Sequence, residues 1–199
     1  MKKGIIALIV LVVLGVLIGG WYIRTNNNLV NMKGQATKQW ANVESSYQRR
    51  SDLIGNLVKT VQGAADFERQ TLTEVIEARA KATSTTVDAN NLSAEQLAEF
   101  QQAQTGLSSA LSRLLVTVER YPELKANQNF LELQSQLEGT ENRINVERNR
   151  FNDIAGEYNI KINQIPTNIV ASIANFQPVA LFASNSGAEN APEVNFEFD

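Results

Sequence analysis

The chain has 199 residues, enough for one domain with a real core, with 43% hydrophobic residues, 20% charged residues and a formal net charge of −3. It contains no cysteine and no histidine, which excludes disulfides, zinc or haem sites of the usual kind, a Cys nucleophile and a Ser–His triad. The slightly acidic balance argues for no nucleic-acid partner, since that role would need a local basic stripe.

Residues 4–23, GIIALIVLVVLGVLIGGWYI, carry no charge. At ~1.5 Å per residue a helix of this length covers ~30 Å, the hydrocarbon thickness of a bilayer. Lys2 and Lys3 precede it and Arg24 follows, while Trp21 and Tyr22 fall where an interfacial aromatic belt forms. The apolar run is long for a cleaved secretory signal and no A-x-A-like site follows it, so an uncleaved anchor over 1–24 is expected. Gly15 and Gly19 form a GxxxG inside the span; the spacing permits two helices to approach closely in lipid without requiring it. The positive flanks are nearly balanced. The tight cluster at the N-terminus favours that end inside and the domain outside.

From Arg24 onward 16 basic residues face 21 acidic ones, and the apolar pattern is helical almost throughout. A first seam runs from Leu29 through Met32, Ala36, Trp40, Val43, Tyr47, Arg50, Ile54, Leu57, Val61, Ala64, Glu68 and Leu72 to Val75 in steps of three or four, the spacing of a coiled coil or a long bundle helix. It predicts one helix over 29–81, with Arg50 and Glu68 as charged exceptions held by partners at the seam. The polar, β-branched stretch 82–91 ends it. Ser93 with Gln96 reads as a capping box for a second helix, along Leu97, Phe100, Gln104, Leu107, Leu111, Leu114 and Val118, which Pro122 breaks. A third helix is expected from about Asn127 to Ile162, and a short apolar piece follows Pro166. Residues 184–199, with four acids and no base, read as a flexible acidic tail, or a short β-strand through Val194, Phe196 and Phe198. The expectation is an all-α fold: a transmembrane helix, a long antiparallel helical bundle over 25–183, and the tail.

A helix over 29–81 would be ~80 Å long and the second only ~40 Å. Folded back, the second helix leaves the membrane-proximal stripe of Trp40, Val43, Tyr47 and Ile54 without an obvious partner. Either the third helix or neighbouring copies must cover it, because each large side chain buried is worth ~1.5–3 kcal/mol. This length argument favours neighbours and hence a homo-oligomer, with Gly15, Gly19, Trp21, Tyr22, Trp40, Val43, Tyr47 and Ile54 as membrane or oligomer contacts.

No P-loop, GxGxxG, HExxH or EF-hand pattern occurs. The densest ionisable cluster is Glu138, Glu141, Arg143, Glu147, Arg148 and Arg150 on the third helix. Its spacings fit helix-surface ion pairs better than a carboxylate metal site, because arginines interleave the acids. Arg49, Arg50 and Asp52 form a second polar knot, read as an interhelical ion pair, and Tyr158 with Lys161 lacks the surroundings of a dehydrogenase site. No catalytic residue, cofactor or metal is expected.

The segments RRSDLIGNLV (49–58), RYPELKANQNFLELQSQLEGTENRI (120–144), RNRFNDIAGEYN (148–159) and IPTNIVA (165–171) resemble those of the LemA family of bacterial membrane proteins. Three positions depart from the family's usual pattern: Gly55 in place of proline, Asn26 in place of tyrosine, and Ile165 in place of an aromatic. The first removes an imposed kink, since glycine permits bending without enforcing it. The resemblance implies an N-terminal transmembrane helix and a long antiparallel bundle, and implies no catalytic residues. Residues and resemblance together point to a membrane-anchored scaffold that self-assembles and meets other membrane proteins. The rival readings are an enzyme or metal site in a closed pocket around Glu141 and Arg148, and a lipid- or peptide-binding bundle with a cavity at Phe100, Leu107 and Ile144.

Overall fold

A computed structural model describes residues 2–63 and 67–183. It contains six helices: α1 (Lys2–Gln62), α2 (Arg69–Ser84), α3 (Ala94–Val118), α4 (Pro122–Lys125), α5 (Gln128–Asn163) and α6 (Thr167–Ile173). The acidic tail expected over 184–199 lies outside the described residues.

α1 is unbroken for 61 residues, ~90 Å at ordinary rise, and crosses the expected boundary at residue 24 without interruption. It continues through Gly55 without interruption. The absence of a Cβ there serves a close approach: a methyl would lie 3.2 Å from the guanidinium carbon of Arg79 on α2.

The single helix expected over 29–81 is two. α1 ends at Gln62, and α2 returns antiparallel to it, with Arg79 Nε donating to the Ser51 carbonyl at 2.7 Å. The spacing of apolar residues survives the reversal because α2 turns Leu72 and Val75 back onto the same core that Leu57 and Val61 enter. Phe67, buried against the Tyr121 ring at 4.9 Å, closes the far end of the bundle.

The capping box forms: Ser93 Oγ accepts from the Gln96 N–H and Gln96 Oε1 from the Ser93 N–H. α3 then runs antiparallel to α2, marked by Arg113–Glu74 and Arg120–Glu68 ion pairs of 3.1 and 3.0 Å. Pro122 opens the single-turn α4, and Asn127 caps α5 through the Asn129 and Phe130 N–H groups. α5, ~54 Å long, lies antiparallel along α1 and is its main partner. A Schellman turn ends α6, with the Phe176 N–H on the Ala171 carbonyl and that of Asn175 on Ser172. Asn175 supplies the left-handed residue at φ 56°. The chain then rises along α5 as an extended strap, 176–183.

Buried side chains form two clusters along α1. The lower holds Leu29, Trp40, Val43, Phe100, Ile144, Phe151, Tyr158 and the strap's Phe182. The upper holds Ile54, Leu57, Val61, Val75, Leu107, Leu114 and Leu137.

Candidate functional site

The apolar part of α1 meets nothing else among the described residues. Ile5 to Ile18 are exposed along every face, an 18-residue window reaches a mean hydropathy of 2.7, and none of that window is buried. By length and composition this helix is able to cross a membrane. Gly15 and Gly19 share one face of it, and no other part of the described residues comes within 4 Å of where a Cβ would stand. Trp21 is exposed and Tyr22 half-buried at the end of the span.

Trp40, Val43, Tyr47 and Ile54 stand well above that region, and the structure corrects the reason for grouping them with it. All four are buried within the chain itself, Trp40, Val43 and Ile54 completely. Phe100, Phe151 and Phe182 surround the Trp40 ring at centroid distances of 5.5, 5.3 and 5.7 Å. The stripe has its cover because α1 loses its supposed extension to Lys81 and the long α5 runs beside what remains. A neighbouring copy is not needed to bury it.

Between the two apolar clusters lies a polar layer. Arg50, 3% exposed, donates from Nη1 to Glu141 Oε1 of α5 at 2.7 Å and to Ser108 Oγ of α3 at 3.2 Å. Its Nη2 reaches the side-chain and main-chain oxygens of Gln104. The guanidinium also covers the Tyr47 ring at 5.0 Å. One side chain thus joins α1, α3 and α5. The layer opens to solvent through a cleft of about 530 Å³ lined by Tyr47, Gln101, Glu141, Asn145 and Arg148. The closed pocket that would favour an enzyme at Glu141 and Arg148 is therefore absent from the described residues. Burial raises the Tyr47 pKa, against the opposing pull of Arg148 and Arg50, and burial likewise raises that of Tyr158. Both phenols are driven away from the neutral range in which a general acid or base works best.

The third-helix cluster is not the row of surface pairs expected. Glu147 does meet Arg143 and Arg150 along α5, at 3.3 and 3.7 Å. It is itself buried, accepting 2.7 Å from Gln39 Nε2 on α1. Glu141 pairs across the bundle with Arg50. Asp52 faces Arg79 of α2 at 3.8 Å, so Arg50 and Asp52 do form interhelical ion pairs, with different partners. Tyr158 donates its hydroxyl to the Gln177 carbonyl in the strap, and Lys161 donates to Gln164. Phe100, Leu107 and Ile144, where a ligand cavity would sit, are packed into the core.

Two residues were missed. Asn152 and Asn159, two helical turns apart on α5, each hold the strap with a pair of hydrogen bonds. The Asn159 side chain donates to the Val179 carbonyl at 2.8 Å and accepts its N–H at 2.9 Å. Asn152 treats Phe182 alike, at 2.9 Å both ways. A side-chain amide here replaces a neighbouring strand, satisfying backbone that helices cannot pair. The seven-residue spacing was visible in the sequence, but nothing local shows that an extended segment returns to it.

The LemA family model matches residues 39–196. The chain is 29% identical over 173 residues to magnetosome protein MamQ of Magnetospirillum gryphiswaldense and to MamQ 1 of Paramagnetospirillum magneticum, covering 78% of this chain and 64% of each relative. It is 24% identical over 164 residues to protein LemA of Metamycoplasma hominis, covering 82% and 71%. The chain thus spans somewhat less than two thirds of the length of the MamQ relatives.

Proposed function

This chain belongs to the LemA family, and from that premise we propose that it is a single-pass, membrane-anchored helical scaffold without catalytic activity. Residues 4–23 anchor it in a bacterial cytoplasmic membrane, and the bundle stands on the extracytoplasmic side, where it meets other membrane proteins. Self-association belongs to the proposal through the open Gly15–Gly19 face of the span, since the chain covers its own Trp40 stripe. The observation that carries the reading is the continuity of α1, which is bare and apolar at one end and the central core helix at the other. The MamQ relatives are named as magnetosome proteins; what this chain shares with them supports a common helical domain.

Alkaline carbonate extraction of membranes containing the full chain tests the anchor. The chain is expected in the pellet, and a Leu11→Arg, Leu14→Arg variant in the supernatant, since each charge at mid-span costs about 2.5–3.5 kcal/mol. Wild-type protein in the supernatant would overturn the reading. Protease added to sealed, right-side-out vesicles should digest the bundle; a bundle protected until the vesicles are opened would reverse the orientation.

A further inference from the structure

Near the span the bundle carries exposed aliphatic side chains on stretches of chain without charge. Ile165, Ile169 and Ile173 follow at four-residue spacing on and just ahead of α6, and are 84%, 54% and 68% exposed. Thr167, Val170 and Ala171 of the same helix turn inward. No charged residue occurs over 162–183 or over 25–32, where Val30 is also exposed. On the helices farther from the span, exposed aliphatics sit among charges: Val116 lies between Arg113 and Glu119, Ile76 beside Glu77, and Leu131 beside Glu132. Single exposed aliphatics are ordinary, whereas a cluster without charge marks an interaction surface.

Position selects the occupant. Leu29, the first fully buried residue of α1, lies six residues beyond Ile23, or ~9 Å along the helix. α6 begins four residues after α5 ends, and its Ala171 belongs to the cluster that also holds Leu29 and Ile162. The polar interface of a bilayer is ~5–8 Å thick on each side of its hydrocarbon core. A bundle that starts so close to the end of the span brings the outer face of α6 to the headgroups. Arg24, Lys33 and Lys161 lie around this end, and Glu44 is the first acid along α1; Glu157 stands one turn above Lys161. Cations beside an aliphatic patch match lipid phosphates beside acyl chains.

We infer that Ile165, Ile169 and Ile173 form a foot that enters the headgroup–acyl boundary of the same bilayer that α1 crosses. The inference rests on reading 4–23 as a span and adds to it: an anchor alone needs one lipid contact, while the foot makes a second, off the helix axis, and sets the tilt of the bundle.

The chain has no native cysteine, so Ile173→Cys, Ile9→Cys and Val116→Cys each accept a single environment-sensitive fluorophore. The labelled full-length variants, checked for unchanged helicity, are reconstituted into phosphatidylcholine vesicles with bromine at shallow or deep acyl positions. The expected result is loss of emission at position 173 with shallow bromine, at position 9 with deep bromine, and at position 116 with neither. Ile169→Cys serves as a second probe of the foot and should follow position 173. Quenching at 9 with water-like emission at 173 and 169 overturns the foot and leaves the anchor intact. Blue-shifted emission at 173 and 169 without bromine quenching means a protein surface, such as a second copy, covers the patch, and also overturns it. Unquenched emission at position 9 overturns the anchor and the foot together.

Discussion

Arg50 on α1 and Glu141 on α5 meet at 2.7 Å between two apolar clusters, and their burial is unequal: the side chains are 4% and 44% exposed. The arginine is the committed partner and the glutamate is the one that retains access to water. Removing one charge is therefore a different perturbation from removing the other.

Glu141→Ala should cost about 2–3 kcal/mol in denaturant unfolding, below the ~3–5 kcal/mol of a fully buried pair because the cleft admits water. Arg50→Met should cost less, as Glu141 returns to solvent. The double variant should recover most of the Glu141→Ala loss, giving a clear non-additive cycle. Equal single losses that simply add would contradict this asymmetry.

Trp40 fills the lower core, yet its indole Nε1 has no hydrogen-bond partner among the described residues. Trp40→Ala should cost about 3–5 kcal/mol through the cavity it leaves. Trp40→Phe should cost far less, near 1 kcal/mol, because removing an unpaired N–H offsets part of the lost contact. Thermal unfolding of both variants measures the difference.

Ser93→Ala removes one half of a complete capping box and should cost about 1 kcal/mol, with Ser93→Gly milder. Hydrogen exchange should accelerate first in the amides of the opening turn of α3.

Burial raises the pKa of Tyr47 and of Tyr158 above the ordinary value of 10.0. Below that value both phenols are neutral in folded and unfolded chains alike, so they contribute no pH dependence. Above it the unfolded chain releases protons first, and stability falls as pH rises through 10 towards the folded values. The denaturant midpoint should therefore drop on the alkaline side of pH 10, and Tyr158→Phe should reduce the drop. A midpoint that rises there would refute the assignment.

In mild detergent the full chain should give a particle heavier than one protein copy by light scattering, and Gly15→Leu with Gly19→Leu should lower its mass. A single-copy particle from the wild-type chain would remove self-association from the proposed function.

Local signals carried most of the fold. Ser93 with Gln96, Pro122, Asn127 and Pro166 each mark a boundary through a hydrogen bond or a missing donor, and each boundary formed within a residue or two. The α1–α2 reversal was hidden because three-to-four spacing describes a straight helix and a helical hairpin equally when both arms serve one core. Gly63, just past α1, was the overlooked cue, because glycine favours a helix interior poorly. That error produced the excess length, and the excess length produced the uncovered Trp40 stripe. At the polar layer, Arg50 was legible as a partnered charge on a seam, but its choice of Glu141, Gln104 and Ser108 depends on how three helices align. The roles of Asn152 and Asn159 depend on the path of the strap, which no periodicity encodes.

α1 passes from residue 2 to residue 62 as one helix, so membrane segment and core share a single axis. No loop separates the apolar end from Trp40 and Arg50, the residues that α3 and α5 pack against. From Gly15 and Gly19 to the far end of the bundle, ~65 Å away, the backbone hydrogen-bond ladder has no gap.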